Sequence, residues 1–225
     1  MSTVNLEAED GHRFSAYRAG PEDARFGLVV AQEIFGVNDH IRSVCDRCAE
    51  KGYAVIAPAL FDRAERGAEL GYAKEDVARG MELRKQVPEA GVLADIAAAA
   101  KALGSRPLGI VGFCWGGTLA WQGATRMDLF RAAVGWYGGG IAATRTAKAH
   151  CPVQLHFGEL DHAIPLSDVE AVRQAQPDVE VYVYEGAAHG FGCDARGSFH
   201  APSAEQAWAR THAFLERHLA AAGGS

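Results

Sequence analysis

The sequence predicts an α/β fold: a mostly parallel central sheet with helices on both faces, a three-layer sandwich. Three observations predict it. Short apolar runs alternate along the chain with stretches patterned for helix. At Ile-Val-Gly-Phe-Cys-Trp-Gly-Gly, residues 110–117, an apolar run passes straight into a glycine-flanked cysteine and then a helical pattern. Finally, 225 residues with 48% hydrophobic content can bury one good core, so a single domain over residues 1–225 is expected.

The elements follow in order. Val4–Ala8 and Arg13–Arg18, split by Asp10-Gly11, read as an opening antiparallel pair. Leu28–Ala31 suits a central strand, and Tyr53–Ala57 is another, ended by Pro58. Leu108–Phe113, Ala132–Trp136, Val153–Phe157 and Val179–Tyr184 complete the strands. Ile41, Val44, Cys45, Cys48 and Ala49 have the spacing of one buried helical stripe; Val92, Ile96, Ala99 and Leu103 form a second. A helix over Thr118 to Thr125 continues from the cysteine turn. Ser167-Asp-Val-Glu170 and Ser203-Ala-Glu-Gln206 have the capping-box form that starts a helix. The last helix shows Ala204, Ala207, Trp208, Thr211 and Leu215 on one face. Residues 61–87, charged and weakly patterned, predict a loop and a helix.

Composition excludes several classes. Lys and Arg total 22 against 28 Asp and Glu, a net charge of −6, which disfavours nucleic acid because phosphate backbones need a clustered basic surface. The opening MSTVNLEAED lacks a signal pattern, and no apolar run approaches the roughly 18 residues a membrane span needs. Five cysteines, an odd number in a chain with an ordinary core, read as reduced thiols in a cytoplasmic protein. No large apolar surface face stands out, so a monomer is expected.

Chemistry concentrates beyond the carboxyl ends of the strands, where open parallel sheets gather functional groups. Glu33 follows Leu28–Ala31, Cys114 follows Leu108–Phe113, Asp161 follows Val153–Phe157 and His189 follows Val179–Tyr184. Cys114 stands where serine usually stands in the G-x-S-x-G turn, with Gly112 and Gly116 two residues to either side, and the order nucleophile, acid, histidine is that of α/β-hydrolases. The partial positive charge at the start of the following helix favours the thiolate. His189 can exchange a proton near neutral pH. Asp161, or alternatively Glu159, would hold its tautomer and stabilise its charged form. Backbone amides of Trp115 and Ile34 are the candidate donors to an oxyanion.

The segments Gln32-Glu-Ile-Phe-Gly-Val-Asn38, Gly112-Phe-Cys-Trp-Gly-Gly117, Gly158-Glu-Leu-Asp-His162 and Tyr184-Glu-Gly-Ala-Ala-His-Gly-Phe191 together resemble the dienelactone hydrolase family over roughly residues 5–220. The resemblance implies an α/β-hydrolase fold, a Cys114–His189–Asp161 triad, and Glu33 as a proton partner for the thiol. It implies a small ester or lactone substrate, an acyl-thioenzyme, and no metal or organic cofactor. Family members that open dienelactones hold the substrate carboxylate with arginines, one before Pro88 and one shortly after the catalytic histidine. Here Lys74 and Arg79 lie near the first position. Cys193 aligns with the second, and Arg196 stands three residues on.

Tyr137 and Phe191 are further candidates for lining the substrate pocket. Gly135–Gly140 lacks phosphate-binding spacing and reads as a loop bordering that pocket. Cys45-x-x-Cys48 falls on a buried helical stripe without a second pair, which reads as core packing rather than a redox or zinc site. His156 and His162 have no matching ligand cluster. The rival reading is a non-catalytic or redox-sensing α/β-hydrolase-like protein, with Cys114 and Cys193 as a reactive thiol pair.

Overall fold

The computed structural model describes residues 1–221, which hold eight β-strands and six α-helices. The chain forms two compact units, one over Met1–Leu108 and one from Gly109 onward.

The first unit opens with the expected hairpin. β1 (Ser2–Glu7) and β2 (Arg13–Ala19) pair antiparallel in a register running from Ser2↔Arg18 to Glu7↔Arg13. The Asp10 carboxylate accepts from the His12 amide at 3.1 Å, and Gly11 adopts φ +82°, a region glycine enters without penalty. β2 pairs antiparallel with β4 (Tyr53–Pro58), which runs parallel to β3 (Phe26–Ala31), so the order is β1-β2-β4-β3. α1 (Asp39–Glu50) is capped by Asn38, whose side chain accepts from the Ile41 amide at 3.3 Å. It buries Ile41, Val44, Cys45 and Cys48, the predicted stripe. Burial pushes the Cys48 thiol up to about 12 and raises Cys45 as well, which suits core packing and not redox chemistry. The stretch 61–87 holds a short 3-10 helix at Leu60–Arg63 and α2 (Lys74–Gln86); α3 (Glu89–Ala102) follows.

In the second unit β5 (Leu108–Phe113), β6 (Ala132–Trp136), β7 (Val153–Gly158) and β8 (Glu180–Tyr184) run parallel, each beside the next. Successive residues of a strand face opposite sides, and β6 shows what covers each. Gly135 faces α4 (Trp115–Arg126): a Cβ there would lie 2.9 Å from the Gly117 carbonyl oxygen. Trp136 faces α6 (Ala201–Ala220), its ring 5.0 Å from that of Trp208. Helices therefore cover both faces of this sheet. α5 (Leu166–Ala175) lies between β7 and β8 in sequence. No helix among the described residues is long and apolar enough to cross a membrane.

Three local expectations are corrected. Ser167 and Ser203 do not cap their helices; α5 begins at Leu166 after Pro165, and α6 at Ala201 with Pro202 in its first turn. Proline suits a first turn because its fixed φ is helical and its missing N–H has no partner there anyway. Ser203 instead meets His200 Nδ1 at 2.7 Å through its hydroxyl. α4 begins at Trp115 rather than Thr118, and the loop expected over Gly135–Gly140 starts only after Trp136, Gly135 lying in the strand Ala132–Trp136 as its apolar run predicts. Both follow from close approach. A Cβ on Gly117 would fall 2.4 Å from the Trp136 carbonyl oxygen, so tertiary contact overrides glycine's poor helix propensity.

Candidate active site

Cys114 sits between β5 and α4 with φ 55° and ψ −116°, a conformation costly for a residue with a side chain. Its surroundings enforce it. The Cys114 amide donates to the Trp136 carbonyl at 3.0 Å, and its carbonyl accepts from the Gly117 amide at 3.0 Å. A Cβ on Gly112 would fall 1.8 Å from the Gly116 carbonyl oxygen, so the strand and the helix start can meet only where that side chain is absent. The thiol is half-buried and free. Trp115 supplies the first amide of α4, at the positive end of the helix.

Asp161 and His189 reach one another because their loops lie back to back. The Leu160 amide donates to the Ala187 carbonyl at 2.8 Å, and a Cβ on Gly158 would fall 2.4 Å from the same oxygen. Asp161 Oδ2 lies 2.7 Å from His189 Nδ1, while Oδ1 accepts from the Ala163 amide at 2.9 Å. The carboxylate is fully enclosed, whereas the imidazole is 24% exposed. Glu159, the alternative acid, is exposed and accepts from the Gly186 amide at 3.0 Å. Burial alone would lower the pKa of His189. Hydrogen bonds and charge from Asp161 and Cys114 outweigh it and push the imidazole up to about 10. The second unit thus brings imidazole and carboxylate together, and the Cys114 thiol is among the groups that raise the imidazole.

The other candidates of this unit pack around the histidine. Tyr137, fully buried at φ 39°, has its ring 5.2 Å from that of His189. Phe191 is fully buried, 5.5 Å from both Trp136 and Tyr137, and so belongs to the aromatic core behind the histidine. Cys193 is buried, its amide donating to the Gly190 carbonyl at 3.0 Å. The Arg196 guanidinium packs over Gly190, where a Cβ would fall 2.5 Å from a terminal nitrogen. A cation therefore lies beside the residue that follows His189.

Glu33, Ile34, Lys74 and Arg79 belong to the first unit. Glu33 is fully buried and accepts from the Tyr72 hydroxyl at 3.5 Å. Ile34 is pinned from behind by α2: a Cβ on Gly80 would fall 1.9 Å from the Ile34 carbonyl oxygen. Lys74 is exposed at the start of α2, and exposed Arg79 is paired with Glu65. Sequence reasoning missed Gly117, Gly138 and Gly80 as close-approach glycines, since a glycine's neighbours across the fold leave no local signal.

Comparison with known proteins agrees with this architecture. The model of the dienelactone hydrolase family matches residues 14–219. A candidate carboxymethylenebutenolidase of Synechocystis is 35% identical over 212 residues, covering 85% of this chain and 86% of its own. One from Escherichia coli K12 is 37% identical over 223 residues, covering 89% and 81%. The crystal structure of a candidate dienelactone hydrolase from Klebsiella pneumoniae superposes with a TM-score of 0.81 at 33% identity, over 96% of this chain and 99% of that one. An esterase of Pyrococcus furiosus, 16% identical, shares the fold with a TM-score of 0.68 over 97% of this chain and 92% of its own. With its motifs, its strand–cysteine–helix turn and these matches in agreement, the chain belongs to the dienelactone hydrolase family, hydrolases of α/β-hydrolase fold.

Proposed function

We propose that this hydrolase opens small ester or lactone substrates through an acyl-thioenzyme formed on Cys114. The single observation that carries the reading is the His189–Asp161 contact of 2.7 Å, in the unit that also holds the half-buried thiol of Cys114. The sulfur, as thiolate beside imidazolium, attacks the carbonyl carbon, and the π electrons move to oxygen. Amides of Trp115 and, by the family resemblance, Ile34 hold that oxyanion. Collapse expels the alkoxide, which takes the proton of His189 and leaves a thioester. With its proton given to the alkoxide, the imidazole is neutral and free to act as general base. It then takes a proton from water, hydroxide adds to the thioester, and collapse returns the acid product and the thiolate.

Relatives named carboxymethylenebutenolidase support a carboxylated lactone as the first substrate to try. Arg196, packed beside the residue after His189, is the candidate for its carboxylate, with Lys74 and Arg79 as further candidates. Glu33 is the proposed proton partner of the thiol. The sensing alternative has less support, since Cys193 is fully buried.

Cys114→Ala tests the proposal. Hydrolysis of phenyl and carboxylated lactone esters should fall at least a thousandfold, on the order expected for a lost nucleophile, and an acyl adduct on Cys114 should appear by mass spectrometry of the unaltered protein. Turnover by the variant at the unaltered rate would overturn the reading.

A further inference from the structure

We infer that Gln32 is a positioning residue that sets the orientation of the Ile34 amide, the second proposed oxyanion donor; this rests on the reading above. Gln32 is the first residue past β3 and is fully buried. Its side-chain amide is used at both ends. Nε2 donates to the Glu33 carbonyl at 3.2 Å, and Oε1 accepts from the Leu60 amide at 3.0 Å. A buried glutamine so engaged has no surface role, and a shorter or apolar side chain could not make both bonds.

The consequence lies in one peptide plane. The carbonyl of Glu33 and the N–H of Ile34 belong to the same trans peptide unit, and in a planar trans unit the two point in opposite directions. Fixing the carbonyl therefore fixes the N–H. Gln32 holds the carbonyl side, and the Leu60 amide holds Gln32 in turn. On the next peptide, the Ile34 carbonyl is backed by Gly80 of α2, with no room for a Cβ between them. Both peptides around Ile34 are thus restrained. An oxyanion donor acts best when it is aligned before charge develops, so Gln32 supports chemistry without touching substrate.

The test compares Gln32→Met, which removes both bonds, with Gln32→Glu, which keeps an acceptor for Leu60 and loses the donor to Glu33. Three readouts are taken on each purified variant: ester turnover, affinity for an alkyl trifluoromethyl ketone, and alkylation of Cys114 by iodoacetamide. Ketone addition generates an oxyanion on the former carbonyl; alkylation displaces iodide from carbon and generates none. We expect kcat and ketone affinity to fall together by about ten- to a hundredfold, short of the loss of an entire donor, with KM and the alkylation rate unchanged. In Gln32→Glu the loss relative to the unaltered protein should shrink as pH falls, because a protonated carboxyl can again donate to the Glu33 carbonyl. A merely structural role would produce no such recovery. Retained kcat and ketone affinity in Gln32→Met, a loss in Gln32→Glu that does not shrink as pH falls, or alkylation falling in step with kcat, would overturn the inference. Failure of the underlying reading looks different: Cys114→Ala would turn over normally, and the ketone would not add to Cys114 in the unaltered protein.

Discussion

His189 and His156 lie in the same unit, are both largely enclosed, and titrate in opposite directions. His156 is fully buried on β7, with Nδ1 2.8 Å from the Tyr184 hydroxyl and Nε2 meeting Gln154 and Thr211 at 3.0 and 3.1 Å. All of its partners are neutral. Burial, assisted by the Arg210 charge, lowers its pKa to about 3, so it is a neutral core group. His189 meets a carboxylate and a thiol instead, and rises to about 10 against its own burial penalty. Enclosure alone therefore says nothing about chemistry; the charge of the neighbour decides whether a buried histidine holds a proton.

The largest test of that contrast is Asp161→Asn. The substitution keeps the shape but removes the charge and the acceptor, so kcat should fall on the order of 10⁴-fold. The His189 titration, followed by NMR, should move down, since the Asp161 hydrogen bond raises it. A variant within about tenfold of the unaltered rate would break the comparison. Next comes His156→Ala, which should cost roughly 2–5 kcal/mol in urea unfolding, from the cavity and from the stranded Tyr184, Gln154 and Thr211 groups. Turnover per folded molecule should hold. If it fell as far as in Asp161→Asn, His156 would have a part in the chemistry.

The smallest effect, and the one that sharpens the contrast most, is the dependence of stability on pH. His189 takes up its proton more readily folded than unfolded. Its contribution is complete below about pH 6.5 and disappears as pH rises through 10. His156 resists protonation when folded, so stability falls as pH drops from about 6.5 towards 3. Replacing His189 with Gln should flatten the alkaline limb alone, and replacing His156 with Phe the acid limb alone. Melting curves across pH for the two variants separate these outcomes.

Most of this molecule was legible in the chain. β5 and β6 have the bounds their apolar runs predict, and the stripe of α1 is buried as its spacing requires. The order Cys114, Asp161, His189 puts three side chains just past the ends of three strands, and in the second unit Asp161 and His189 meet at 2.7 Å. Helix starts were less legible: Ser167 and Ser203 carry capping-box patterns, yet Pro165 and Pro202 set where the turns begin. Phe191 illustrates another limit, since an aromatic close in sequence to His189 can equally be core, and here it is.

The sequence by itself determined the fold class and the family, because each depends on local pattern: apolar runs, glycine spacing and residue type. Tertiary structure alone decided which carboxylate meets His189, why Gln32 is buried, and which histidine holds a proton. Those outcomes depend on partners distant in the chain, such as Thr211 for His156 and Leu60 for Gln32, and on an electrostatic balance that exists only once the loops have come together.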